Sequence, residues 1–427
     1  MFSIFSEMNN QSQREGQVSG ANSFITIARK RMLFAMGLLL PLILGLTLPV
    51  SKVAAQAAPI KLGVLLSFTG PAAISAASYW PAIRMAVKEI NDAGGLLGRK
   101  VEIVQADDQS NPAQAVSEAR RLAQLEKVNF VMGPGASGLA LAVAPVFNEA
   151  KIVYFSTSVA VIPTPYNFSP MMSTSAYVQP MVKFMKDNLR ARNVAVLSDN
   201  GAASKATVED FKKQIPGQGM NLIMIQEHDT RPTDITPQLL SIKRSNPDVL
   251  VHTTSYGEDA GLLIKSMAEM GWNIPVMSAA AGLAAGATLK IAGPDAFKSE
   301  RIYSPVPLAH TYCASDKPGS RNYDRYVSRL KAFEPENFDK IDQKSSLYLY
   351  DALQLLKAAI EGTKSLDGAT LVGWMDQNAT KQLGTAGAPF ASTTGSHFMM
   401  GADSMAIVKR PDLVRQADKL VERVTGC

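Results

Sequence analysis

The chain has 427 residues, 46% of them hydrophobic and 19% charged, with a formal net charge of +6. This is an ordinary globular composition, long enough for two or three domains with real cores. Setting residues 1–57 aside lowers the net charge to +3, too mild a surplus to support nucleic-acid binding.

The first segment differs from the rest. Arg29, Lys30 and Arg31 precede Met32–Val50, nineteen residues without a charge, and Ala55-Gln-Ala57 follows as a small-x-small site. That order predicts an export signal over 1–57, cleaved near Ala58, with periplasmic localisation. A retained anchor is the competing reading, since nineteen apolar residues just span a bilayer. Neither Cys313 nor Cys427 lies near the cleavage region, so no lipidated N-terminal cysteine is expected. In an oxidising compartment the two could pair, although sequence alone does not bring them within reach.

From Pro59 onward, strand-like and helix-like segments alternate. IKLGVLL (60–66), a helix over Pro81–Asn91, VEIVQA (101–106), a helix over Pro112–Gln124, NFVMG (129–133), a helix over Leu139–Ala150 and KIVYFS (151–156) form a first series. Gly94, Gly95 and Gly98 stand after a helix and before a strand, the reverse of a dinucleotide fingerprint, so they read as a helix stop and a turn. Asp107 and Asp108 could be imagined as paired catalytic acids, but Asp108-Gln-Ser-Asn111-Pro112 reads better as the cap of the next helix.

The pattern then restarts. NVAVLS (193–198), a helix near Lys205–Gln214, NLIMIQE (221–227), a helix near Thr236–Ser245, DVLVHT (248–253), a helix over Asp259–Met270, IPVMS (274–278) and RIYSP (301–305) form a second series, and Ser345–Gly362 adds a further helical run. Strands alternating with helices imply right-handed βαβ units, hence an α/β protein of two doubly wound parallel-sheet lobes.

Open α/β sheets bind ligands beyond the carboxyl ends of their strands. The candidate lining is therefore SFTGPAA (67–73), GPGASG (133–138), STSVA (156–160), DNGAAS (199–204), TTSYGE (253–258) and SAAAG (278–282). Any one of these alone is an ordinary strand-to-helix loop; their shared position is the signal. Ser137, placed just before a helix, could cap it and present its N-terminus to an anion. Enzyme signals are weaker. GASG (135–138) lacks the nucleophile-elbow spacing, and His228, His252, His310 and His397 show no metal-ligand spacing, so neither metal nor cofactor is expected. Trp80, Tyr256, Tyr348 and Tyr350 could stack on a ligand, although each also reads as packing, and only Tyr256 falls in a candidate loop.

Several phrases together, IKLGVLLSFTGPAA, AVKEINDAGGLLGRKVEIVQADDQSNPAQAV, VMGPGASGLALAVAPV and PDVLVHTTSYGEDAGLLIKSMAEMG, resemble the branched-chain amino acid (Leu/Ile/Val) type of periplasmic substrate-binding protein that serves ABC transporters. The resemblance covers nearly all of 59–410 and implies a type I, Venus-flytrap fold with three hinge crossings near 175–182, 304–312 and 385–397. It divides the chain into 58–178 plus 310–390 as one lobe and 179–305 plus 395–427 as the other. The function implied is non-enzymatic: a monomer that closes on a small molecule and docks to an inner-membrane permease. A ligand sensor and a small-substrate hydrolase remain the alternatives.

The resemblance also assigns site residues. Ser137 matches the serine that holds the ligand carboxylate, and Ser158 a position of main-chain contact. Ala160 stands where a threonine is common, Asn200 where a cleft tyrosine is common, and Tyr256 matches or neighbours the other cleft tyrosine. Ala280 replaces the glutamate that neutralises an amino-acid ammonium. A buried ammonium without a counter-charge is expensive, so a carboxylate with an aromatic or aliphatic body is expected ahead of a free amino acid.

Overall fold

The computed structural model describes residues 57–427 except 255, 294, 296–300 and 418. The expected leader, up to Gln56, lies outside the described residues. Among those described, no helix is long and apolar enough to cross a membrane.

Two six-stranded sheets organise the chain. The first takes β1 (Ile60–Leu66), β2 (Val101–Asp107), β3 (Phe130–Met132), β4 (Val153–Phe155) and β5 (Asn167–Met172). The second takes β6 (Asn193–Asp199), β7 (Asn221–His228), β8 (Val249–Thr253), β9 (Val276–Ser278) and β10 (Ile302–Pro307). After the short β11 (Thr311–Tyr312), β12 (Phe398–Met400) joins the first sheet and β13 (Met405–Lys409) the second, and β14 (Val421–Glu422) pairs with β11. The orders β12-β5-β4-β3-β1-β2 and β13-β10-β9-β8-β6-β7 repeat one winding, parallel throughout except for antiparallel β13. This is the doubly wound α/β architecture expected. The central strands are apolar and buried along their length because helices cover both faces.

The helices are α1 (Ala73–Asp92), α2 (Pro112–Arg120), α3 (Ser137–Glu149), α4 (Thr174–Asp187), α5 (Ala202–Gly217), α6 (Thr236–Arg244), α7 (Gly257–Glu269), α8 (Ala279–Leu283), α9 (Ala285–Ala292), α10 (Asn322–Phe333), α11 (Gln343–Thr363) and α12 (Gly368–Asn378). In the first lobe α1, α10, α11 and α12 share one apolar core, while α2 and α3 cover the other face. In the second lobe α4 and α5 lie on one face and α6 to α8 on the other.

The glycine cluster is punctuation. Gly95 N–H closes the end of α1 onto the Ile90 carbonyl at 2.8 Å, and its φ of +82° turns the chain toward β2. At Gly133, φ is +104° and an added Cβ would lie 1.8 Å from the Leu65 carbonyl oxygen, so only glycine carries the chain from β3 into the loop before α3.

Two elements depart from expectation, and each contains a proline. α1 begins at Ala73 rather than Pro81, and α4 occupies the stretch expected as a crossing. Proline inside a helix loses one backbone bond, but buried Ala76, Tyr79, Ala82 and Ile83 in α1, and Val178, Met181, Val182 and Phe184 in α4, anchor both helices to their cores. Ser173 caps α4 by accepting the Ala176 N–H.

The crossings shift accordingly. α4 packs on α5 and β13, so the first crossing precedes it at Ser173. The second runs through 308–310. Phe398–Met400 pairs with β5, which moves the third from 385–397 to 401–404 and returns 398–400 to the first lobe. Cys313 and Cys427 form a disulfide with Cα atoms 5.6 Å apart.

Candidate functional site

The loops after the strands converge on the carboxyl edge of each sheet. In the first lobe, the acidic pair fixes the SFTG loop instead of forming a catalytic dyad. Asp107 accepts the Phe68, Thr69 and Gln109 N–H groups and the Thr69 hydroxyl. Burial opposes its ionisation, but these hydrogen bonds outweigh it and hold the carboxyl below its ordinary range. Asp108 accepts the Ser67 hydroxyl and the Ser110 N–H; for it burial wins, and its carboxyl is pushed up. The cap of α2 is Asn111, with Pro112 following it.

Ser137, Ser158 and Ala160 come together. Ser137 is the first residue of α3 and does not cap it; Ala136 holds that place, because the serine oxygen is turned to the STSVA loop. Its Oγ accepts the Val159 N–H at 3.2 Å and lies 3.1 Å from the Ser158 hydroxyl. Ser158, with no exposure, also donates to the Ala160 carbonyl and receives the Ala160 N–H. The Ser158 carbonyl is engaged by Ser169 at 2.5 Å, which leaves that carbonyl less available than expected. The first intrahelical N–H of α3 is that of Ala140, so the preceding N–H groups point out of the helix end. Neutral hydroxyls and free N–H groups at a helix N-terminus suit a carboxylate.

The second lobe distributes its expected residues differently. Asn200 donates to Asp229 at 2.8 Å and accepts from Thr230, binding two loops of its own lobe together. Tyr256 precedes α7, with the Arg231 guanidinium 4.7 Å from its ring centroid. Ala280, 4% exposed in α8, lines a cavity of about 450 Å³ with Tyr177, Phe211, His252, Thr253 and Thr254. Asp259 does not cap α7 and does not line this cavity itself: buried behind Thr254, it accepts the Thr254 hydroxyl at 3.1 Å and the Arg231 N–H at 3.3 Å. Glu258 is exposed. The residues around Ala280 are thus apolar or neutral, as its sequence context suggests. Among the described residues, no group of three or more His, Cys, Asp or Glu is arranged to hold a metal.

His252 and Tyr177 escaped the sequence reading. His252 lies inside the apolar run of β8 and reads as a core histidine, while Tyr177 lies in the stretch taken for a crossing. One signal was present: His228 and His252 both fall at the carboxyl ends of their strands, the edge that binds ligands.

A family model described as periplasmic binding protein matches residues 59–410. The chain belongs to this family. The Leu/Ile/Val-binding protein BraC3 of Rhizobium johnstonii is 26% identical over 330 residues, covering 74% of this chain and 82% of its own. A putative branched-chain amino acid ABC transporter from Rhodospirillum rubrum superposes with a TM-score of 0.69 at 20% identity, covering 85% of this chain and 99% of that one. The solute-binding protein of an ABC transporter from R. palustris, in complex with 4-hydroxybenzoate, superposes at 0.61 with 21% identity, covering 86% and 96%. The kinship with periplasmic binding proteins of the Leu/Ile/Val-binding type expected from the sequence is borne out.

Proposed function

We propose that this binding protein is exported to the periplasm, closes as a monomer on a small carboxylate-bearing ligand with an aromatic or aliphatic body, and presents it to an inner-membrane permease. It acts by binding alone; turnover of a bound acid would overturn that. The observation that carries the ligand reading is the asymmetry of the half-sites. Ser137, held beside Ser158, and the α3 N-terminus offer donors to a carboxylate, whereas Ala280 and its neighbours offer volume and no acid to an ammonium. The 4-hydroxybenzoate held by the R. palustris protein supports an aromatic acid. BraC3 favours a second reading, a branched-chain amino acid.

Calorimetry on the mature chain separates the two. Benzoate-type or aliphatic acids are expected to bind and leucine and valine to be inert. Micromolar leucine with inert acids would establish the second reading instead. Ser137→Ala should weaken the acid by about 1–3 kcal/mol through loss of a hydrogen bond to a charged group.

A further inference from the structure

The second-lobe cavity holds more polar chemistry than a wall for an apolar ligand body requires. His228 Nδ1 lies 2.6 Å from the Asp229 carbonyl oxygen, which can only accept, so Nδ1 carries the proton. In the neutral ring Nε2 is then an acceptor. His252 Nε2, 3.1 Å away, must be the donor to it. His252 Nδ1 is left as a bare acceptor, fully buried and without a hydrogen-bond partner among the described residues. With His228 neutral, the Asp229 carbonyl sets the tautomer of both rings through this network. Burial first, and the nearby His228 second, keep the His252 ring neutral, against the opposing pull of Asp199.

Tyr177 lines the same cavity of about 450 Å³, and its buried hydroxyl also lacks a partner among the described residues. Buried polar atoms are nearly always paired. A hydroxyl is the ligand group with both roles to offer, a proton for the imidazole lone pair and a lone pair for the phenol. A carboxylate would meet the imidazole lone pair with no proton to share, and an ammonium has no lone pair for the Tyr177 proton. Alanines 279, 280 and 284 leave the space such a ligand needs.

We propose that His252 and Tyr177 form a hydroxyl-recognising subsite, so that the ligand is an acid carrying a hydroxyl on the part of its body held by the second lobe. This rests on the carboxylate reading above. A hydroxybenzoate is the simplest aromatic case.

The test is calorimetry on the mature chain with benzoate, 2-, 3- and 4-hydroxybenzoate and the corresponding methoxybenzoates. At least one hydroxybenzoate should bind about tenfold or more tighter than both benzoate and its methyl ether, because a site built for a hydroxyl rejects analogues that lack it. Tyr177→Phe and His252→Gln should each reduce that preference while benzoate still binds. Glutamine reproduces the amide donor toward His228 but has no acceptor at the Nδ1 position. Equal binding of benzoate and every hydroxybenzoate would overturn the subsite and leave the carboxylate reading standing. A preference that survives both substitutions would overturn it as well, and failure of these acids and of the aliphatic acids alike to bind would remove the carboxylate reading and the subsite together. If a variant does not fold, the wild-type ligand series decides.

Discussion

His252 couples the second half-site to the stability of the lobe that contains it. Burial, reinforced by His228, pushes its ring from the ordinary value of 6.5 down to about 3. Between those values the unfolded chain binds a proton that the native chain does not, so stability rises with pH across the window and is lost as pH falls below 6.5. The slope is about 1.4 kcal/mol per pH unit while one proton is at issue. Urea melts of wild type and His252→Gln should therefore show the wild-type advantage shrinking by about 2 kcal/mol between pH 6.5 and 5. The carboxylates cancel in that difference because both proteins carry them. A constant difference across the range would mean that His252 titrates normally in the folded protein. The same burial that makes the ring an acceptor for a ligand makes its protonation costly.

At the scale of elements, the caps test how locally the first lobe is encoded. Asn111 Oδ1 accepts the Ala113 and Gln114 N–H groups, with Pro112 pre-set for the first turn of α2. Asn111→Ala should lower unfolding free energy by about 1 kcal/mol in urea melts; no loss would show that packing of Ala115 and Ala119 holds the helix unaided. This cap was legible because its spacing is local. So were the strands, since a sheet covered on both faces requires continuous apolar runs such as DVLVHT. α1 and α4 were not legible at their true lengths, because Pro81 and Pro180 argue against a helix and only tertiary packing overrules them. β12 was equally hidden: three residues gain their identity from pairing with β5, more than 220 residues earlier. The site divided the same way. Ser137 and Ser158 could be brought together because each lies in a loop that follows a strand of the first sheet, whereas the chemistry of His252 depends on His228, 24 residues away on β7, across β6 from its own strand.

Across the whole molecule, three crossings set how the lobes can move, and the C-terminal tail lies against them. Leu420 joins the first-lobe core, while Val421 packs with Val306 and Val408. The Arg423 N–H donates to the Tyr312 carbonyl at 3.0 Å, and that of Val424 to the Ile407 carbonyl of the second sheet at 2.8 Å. The disulfide fastens the last residue, Cys427, to Cys313 just beyond the second crossing, closing a sequence separation of 114 residues. Such a link acts chiefly on the unfolded chain, by restricting the conformations available to a long loop. Hinge closure around a ligand instead needs only rotation at a few residues in each crossing. The two effects should separate. Replacing both cysteines by serine is expected to lower unfolding free energy by about 2–5 kcal/mol, read in urea melts at neutral pH. The affinity for an acid ligand should stay within about threefold, because neither cysteine is in either half-site and distant sites act independently. Scattering should still show a smaller radius of gyration when ligand is added. Stability unchanged by the double substitution would show that the tail is held by β14 pairing and the packing of Leu420 and Val421, not by the disulfide. A loss of affinity equal to the loss of stability would show that the tail positions the crossings for closure.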